Sequence, residues 1–215
     1  MEIKIVRQIL EWNEDCHQEL QTLFNEKKIL VINIMGSPGG GKTTLITKII
    51  ENLKEEYNIG VIEADLAGQI DAEKIDAMGI PVVQLNTEGA CHIEAMSIKN
   101  ILPHFDLDKL DILIIENIGN LVCPAEFEIG EDIKIALLSI PEGDDKVEKY
   151  PLMFTKCDAL VLTKYDMSDY FNFKVERVEA NARTFNKDVE IFKVNSVQGT
   201  GVDKVVEFIR SRLKK

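Results

Sequence analysis

Histidine is scarce in this chain, with three residues in 215. That scarcity disfavours a metal-buffering protein built on histidine tracts. Positive charge is also short: Lys and Arg number 25 against 37 Asp and Glu, for a formal net charge of -12. An acidic surface repels phosphate backbones and anionic lipid, so no nucleic acid and no membrane surface is expected as a partner. No apolar run approaches the roughly 18 residues that a membrane span needs. The opening residues MEIKIVRQILEWNEDCHQEL carry acidic groups throughout and no cleavage site. A signal peptide is therefore not expected, and the protein should be cytoplasmic. In that compartment the four cysteines, Cys16, Cys91, Cys123 and Cys157, are expected as reduced thiols, either buried or bound to metal. Internal repeats and low-complexity stretches are absent, and Pro and Gly cluster only at 36–41. The arginines Arg7, Arg177, Arg183, Arg210 and Arg212 form no cluster of the kind a nucleotide kinase needs.

What is present is an alternation of short β-branched runs with longer amphipathic stretches. Strands are expected over Ile29–Met35, Gly60–Ala64, Pro81–Leu85, Asp111–Ile115, Lys134–Ser139, Ala159–Thr163 and Val189–Val194. Several are nearly continuous apolar runs, the pattern of parallel strands buried on both faces. Helices are expected over Ile5–Lys27, Lys42–Glu56, Ala72–Met78, His92–Leu102, Phe173–Phe185 and Val202–Leu213. Strands separated by helices imply βαβ units, hence an α/β fold with a mostly parallel sheet flanked by helices. The first helix carries Ile5, Ile9, Trp12 and Leu20 at helical spacing and is expected to pack on the sheet or on a partner chain.

Gly36-Ser37-Pro38-Gly39-Gly40-Gly41-Lys42-Thr43 matches G-x-x-x-x-G-K-[ST], with a strand entering and the helix Thr43, Thr44 onward leaving. Glycines let successive N–H groups point inward as an anion nest, and the helix N-terminus adds partial positive charge. Lys42 then reaches the outer phosphates and Thr43 holds Mg²⁺. Mg²⁺ takes hard oxygen ligands. Asp65, after the second strand run, and Glu116, ending the run Asp111–Ile115, are the carboxylates placed to contact it and to serve catalysis with Lys42. Gly119 follows Glu116 as a switch glycine whose N–H senses the terminal phosphate. Asp71 stays open between a helix N-cap and a functional carboxylate.

Thr163-Lys164-Tyr165-Asp166 follows a strand and looks like the guanine motif [NT]-K-x-D. An Asp there accepts from guanine N1–H and N2–H₂, a donor pair that adenine lacks. Asn195 and Ser196 follow the next strand and are placed to reach guanine O6. GTP is the expected nucleotide, with slow turnover, because Asn120 rather than Gln follows Gly119.

Cys91-His92 and Cys123 form a second constellation. Thiolate and imidazole suit Zn²⁺ or Ni²⁺. Their spacing is not that of a zinc finger. Adjacent residues 91 and 92 point in different directions, so one ion using both needs an unusual loop, a water or a second chain. Cys123 lies in the loop that should sense the terminal phosphate, which ties any bound metal to nucleotide state. Cys16 and His17 are weaker ligands on a helix among acidic residues, while Cys157 and His104 read as structural.

Together Gly36–Thr43, Gly89-Ala90-Cys91-His92, Glu116–Ala125 (ENIGNLVCPA) and Pro141–Lys146 (PEGDDK) closely resemble the HypB family, GTPases of [NiFe]-hydrogenase maturation. The resemblance runs from about residue 5 to the C-terminus. It implies a P-loop NTPase of the signal-recognition/MinD-like class. It also implies a single GTPase domain over 1–215, with a helical extension at 1–28 and the P-loop core at 29–215. Further implications are a homodimer in the GTP state and Ni²⁺ or Zn²⁺ at Cys91, His92 and Cys123. Nickel delivery to the hydrogenase large subunit, with a HypA-like metallochaperone and often SlyD, also follows. Lys42, Thr43, Asp65 and Glu116 are carried over as phosphate and Mg²⁺ residues, and Lys164 and Asp166 as guanine residues. Three departures stand out. The N-terminus lacks the CxxCGC motif or histidine-rich stretch of some members. Ser37 stands where ATPases of the class carry a second lysine. Thr163 replaces Asn in the guanine motif. Two other readings compete. A urease-type nickel GTPase would carry C-P-H where this chain has Cys123-Pro124-Ala125. A metal-binding scaffold with a structural nucleotide would show negligible turnover.

Overall fold

The computed structural model describes residues 2–65, 70–87 and 89–214, with only the backbone described for residues 2–9 and Asp65. A long helix α1 (Glu2–Lys27) leads into β1 (Leu30–Gly36). The order continues with α2 (Lys42–Leu53), β2 (Ile59–Asp65), α3 (Ile70–Asp76), β3 (Val82–Asn86), α4 (Ala95–Ile101), β4 (Ile112–Glu116) and β5 (Ile133–Ser139). It ends with α5 (Lys146–Lys149), α6 (Pro151–Lys156), β6 (Ala159–Thr163), α7 (Val175–Phe185), β7 (Glu190–Lys193) and α8 (Val202–Arg212). The strands form one sheet of order β3-β2-β4-β1-β5-β6-β7, parallel throughout.

Burial explains why these segments are strands. Every residue of β1, β4 and β6 is buried, as the apolar runs require when helices cover both faces. On one face Leu45, Ile46 and Ile49 of α2 and Val205, Val206 and Ile209 of α8 pack against Ile32, Ile34 and Ile114. The other face is split between α1 with α4 and α6 with α7. Parallel pairing puts all strand ends at one edge. Register sets Ile34 and Glu63 on either side of Glu116, and Ser139 beside Thr163. This edge of the sheet is where open α/β folds place their ligands.

Of the stripe expected on helix α1, Leu20 is buried and Trp12 is not, while the Ile5 and Ile9 side chains lie outside the described residues. Asn13, Cys16, His17, Leu20 and Phe24 are buried, whereas Trp12 is 70% exposed. Burying Leu20 and Phe24 is worth about 1.5–3 kcal/mol apiece. Gly130 sits under this contact at φ +94, where a Cβ would lie 2.8 Å from Leu20 Cβ. His17 completes the anchor. The Gly130 N–H donates to Nδ1 at 2.9 Å, and Nε2 lies 3.3 Å from Glu128 Oε2. Cys16 and His17 are therefore packing residues.

Other boundaries shift for local reasons. Helix α2 stops at Leu53 rather than Glu56. The helix expected from His92 begins at Ala95, because Glu94 is extended (φ -100, ψ 153) and Asn13 Oδ1 accepts from the Ala95 N–H at 2.8 Å. Cys91 and His92 are thereby freed into an irregular bend.

Candidate functional site

The phosphate loop leaves β1 at Gly36 and enters α2 at Lys42. Gly39 and Gly41 take φ +70 and +93, in the left-handed region. Gly119 comes so close that a Cβ would stand 2.7 Å from the Pro38 ring and nitrogen, so this position has room only for hydrogen. Lys42 is 7% exposed and arches back over the loop, with Nζ 3.5 Å from the Gly36 oxygen and 3.4 Å from the Ser37 oxygen. Gly39, Lys42, Thr43, Thr44, Glu116 and Lys164 line a cavity of about 670 Å³.

Carboxylates crowd the floor of this cavity. Thr43 Oγ1 lies 3.1 Å from Glu116 Oε1 and 3.1 Å from Asp71 Oδ2. Asp71 is inside the first turn of α3, its other oxygen 2.6 Å from Lys74 Nζ, so it is no N-cap and belongs to the site. Sequence reasoning missed Glu63. It is buried in β2 opposite Glu116. Burial, with the Glu116 carboxylate beside it, pushes Glu63 up to about 10. Burial also pushes Glu116 up. Both carboxyls are therefore biased toward the protonated form in the absence of a cation. Glu63 Oε2 and Glu116 Oε2 are buried with no hydrogen-bond partner among the described residues. Orphaned carboxylate oxygens next to the Thr43 hydroxyl are a donor set of hard oxygens, and this set fits Mg²⁺. The signal for Glu63 was an acid inside the apolar run VIEA. The Asp65 side chain lies outside the described residues, although its backbone ends β2 at the same edge.

The guanine motif reaches the phosphate loop through its first two residues. Thr163 Oγ1 donates to the Gly40 oxygen at 2.6 Å, and Lys164 Nζ donates to the Gly39 oxygen at 2.8 Å. Threonine therefore makes a loop contact in the place where the motif has asparagine. The Tyr165 N–H donates to the Val194 oxygen, which lays this turn beside Asn195 and Ser196. Asp166 is exposed and Asn195 and Ser196 are buried, and none of the three is among the residues lining the large cavity. Asn195 Oδ1 accepts from the Gln198 N–H at 3.1 Å.

Beyond the switch glycine, the three soft ligands come together. Cys91 Sγ lies 3.2 Å from Cys123 Sγ and 3.6 Å from His92 Nδ1. One donor atom from each of the three falls within 4.8 Å of the others. The bend at 91–92 solves the direction problem within one chain. Cys123 opens a short 3₁₀ turn with Pro124 and Ala125. The adjoining Cys91 thiol, helped by burial, pushes Cys123 up, and burial lowers His92, leaving a neutral imidazole ready to ligate. Phe127 stacks on His92 with centroids 3.8 Å apart and planes at 22°. The buried Cys157 thiol, pushed up to about 12 by burial, takes no part.

A glycine-rich loop closing a central parallel strand, with carboxylates on the neighbouring strand ends, defines a P-loop nucleotide-binding protein. The signal recognition particle receptor FtsY from Elizabethkingia anophelis shares the fold at TM-score 0.53 and 18% identity, over 96% of this chain and 79% of that one. Residues 30–193 match the family described as CobW/HypB/UreG, nucleotide-binding domain. Within it, this chain belongs to the HypB family. It is 41% identical to the hydrogenase maturation factor HypB of Escherichia coli (strain K12) over 95% of this chain and 70% of that one. A crystal structure of HypB from Helicobacter pylori in complex with nickel matches at TM-score 0.87 and 34% identity, over 94% of this chain and 97% of that one. HypB from Archaeoglobus fulgidus matches at TM-score 0.89 and 33% identity, over 95% and 100%.

Proposed function

We propose that this protein is a GTP-hydrolysing metallochaperone. It holds nickel (or zinc) at Cys91, His92 and Cys123 and helps insert nickel into [NiFe]-hydrogenase. A HypA-like metallochaperone and the hydrogenase large subunit are its partners, and its compartment is the cytoplasm. Residues 1–215 act as one GTPase domain that pairs with a second copy in the GTP state. The single observation that carries this reading is the segment from Glu116 to Cys123. One end meets the Thr43 hydroxyl and the other meets the Cys91 thiol. Whatever binds at one end biases the other.

Lys42 lies where it neutralises the outer phosphates. Thr43, Asp65 and Glu116, with Asp71 added, would hold Mg²⁺, which supplies charge neutralisation when bound. Gly119 packs against Pro38 of the loop, and its N–H is the γ-phosphate sensor. Lys164 covers the base and Asp166 selects guanine, with Asn195 and Ser196 behind. Asn120 is already engaged, donating to the Cys91 oxygen and accepting from the Val122 N–H. These bonds hold its amide toward the Cys91 turn, which accords with slow intrinsic turnover.

The test is hydrolysis of GTP and ATP with and without Ni²⁺ and Zn²⁺, in wild type and Cys123→Ala. A GTP preference, and a metal effect that disappears in Cys123→Ala, are expected. Identical rates across nucleotides, metals and variants would overturn the reading.

A further inference from the structure

Among the described residues, no group makes to His92 the second-nitrogen hydrogen bond that usually orients a metal-binding imidazole. Such rings normally donate their second nitrogen to a carboxylate or carbonyl, which fixes ring plane and tautomer. Here His92 Nε2 is buried without a hydrogen-bond partner. Glu94 Oε1 is 3.8 Å from Nε2, beyond hydrogen-bond reach. Nδ1 faces the thiols, 3.6 Å from Cys91 Sγ. Among the described residues, the Phe127 ring stacks on the imidazole and defines its plane, with the Nδ1–Cys91 Sγ contact at its edge.

Phe127 is well placed for this task. It follows Cys123 by one short turn, so the stacking face and the thiol ride on the same segment. That segment is pinned on its far side. Asn13 Nδ2 donates to the Glu128 oxygen at 2.7 Å, Lys134 Nζ lies 3.2 Å from Glu128 Oε1, and Ile129 is fully buried. Flat stacking leaves the imidazole edge, and hence Nδ1, directed at the sulfurs.

We infer that Phe127 is a positioning residue for the His92 ligand: its ring holds Nδ1 toward Cys91 and Cys123 and so sets the affinity of the metal site. This inference rests on the metal reading proposed above. Preorganisation is its physical basis, since a ring already held in the binding geometry loses less freedom when metal arrives.

The test is a titration of the full chain with Ni²⁺ alone and with Co²⁺, whose thiolate and ligand-field bands report coordination. Phe127→Leu should weaken binding on the order of tenfold, the usual scale for losing a residue that orients a ligand. Phe127→Tyr, which keeps the planar face, should bind as wild type does. In a His92→Ala background Phe127→Leu should change affinity by less than about twofold, because the two losses are one interaction. Guanine-nucleotide affinity and melting temperature check the fold, and Phe127→Met replaces Phe127→Leu should the latter fail to fold. Wild-type affinity in Phe127→Leu, or an equal loss in the His92→Ala background, overturns the inference while leaving the metal site standing. Unchanged affinity in Cys91→Ala and Cys123→Ala would instead overturn the metal reading, and the inference with it.

Discussion

The Asn120 side chain donates to the Cys91 carbonyl oxygen at 3.3 Å, while the Asn120 backbone N–H donates to the Gly36 oxygen of the phosphate loop. One residue thus touches both ends of the molecule's chemistry. Asn120→Ala keeps the backbone bond and deletes the bond to the metal turn. Nucleotide affinity should stay within about threefold of wild type, since no deleted contact faces the phosphate site. The dependence of metal affinity on nucleotide should shrink. Calorimetric Ni²⁺ titrations with GDP and with a non-hydrolysable GTP analogue check this, and unchanged dependence would count against a route through Asn120.

Thr163 should matter more than its hydroxyl suggests. It is 1% exposed and is the donor to the Gly40 oxygen in the phosphate loop. Thr163→Val leaves that buried carbonyl unpaired, at a cost of about 1–3 kcal/mol. A lower melting temperature and weaker GTP binding are expected, with recovery in Thr163→Ser. Equal melting of wild type and Thr163→Val would contradict the assignment.

His17 should affect stability and leave metal alone. Removing its imidazole leaves the Gly130 N–H without its acceptor and Glu128 without one partner. His17→Ala should lose about 1–3 kcal/mol in urea unfolding. Stoichiometric Ni²⁺ binding should persist in the folded variant. Loss of one bound ion per chain would restore His17 as a ligand.

Glu63 gives a signed pH effect. Its carboxyl is raised from 4.5 to about 10 on folding. Between those values the folded chain keeps a proton that the unfolded chain releases. The folded state then binds more protons, so stability falls as pH rises through this window. Glu63→Gln removes the titration. For protein free of nucleotide and Mg²⁺, its melting temperature should exceed that of wild type by a margin that grows from about pH 5 to about pH 8. A margin independent of pH would contradict the raised Glu63 carboxyl.

Local chemistry was readable from sequence and long-range chemistry was not. Gly36–Thr43 carries its function within one turn, so residue types alone identify it. The apolar runs of β1, β4 and β6 needed no partner to be recognised, being buried whole. Glu63 was missed because its meaning lies in Glu116, which only strand pairing brings alongside. His17 was read as a weak ligand candidate, and Asn13 was not singled out. Their partners at Ala95, Glu128 and Gly130 appear only in the fold. The short helices α5 and α6 escaped notice because so few residues carry no periodic pattern. Asp71 was left undecided between cap and ligand, and the Thr43 contact decides that it belongs with the cavity.

The central claim is that nucleotide state and metal share one equilibrium through the segment from Glu116 to Cys123. Its most direct test is the Ni²⁺ dissociation constant of the wild-type chain, measured with Mg²⁺-GDP and with a Mg²⁺-bound non-hydrolysable GTP analogue. The two values should differ by about fivefold or more, and Ni²⁺ should change the analogue's affinity relative to that of GDP by the same factor. Equal Ni²⁺ affinities in the two states, within about twofold, would contradict the coupling.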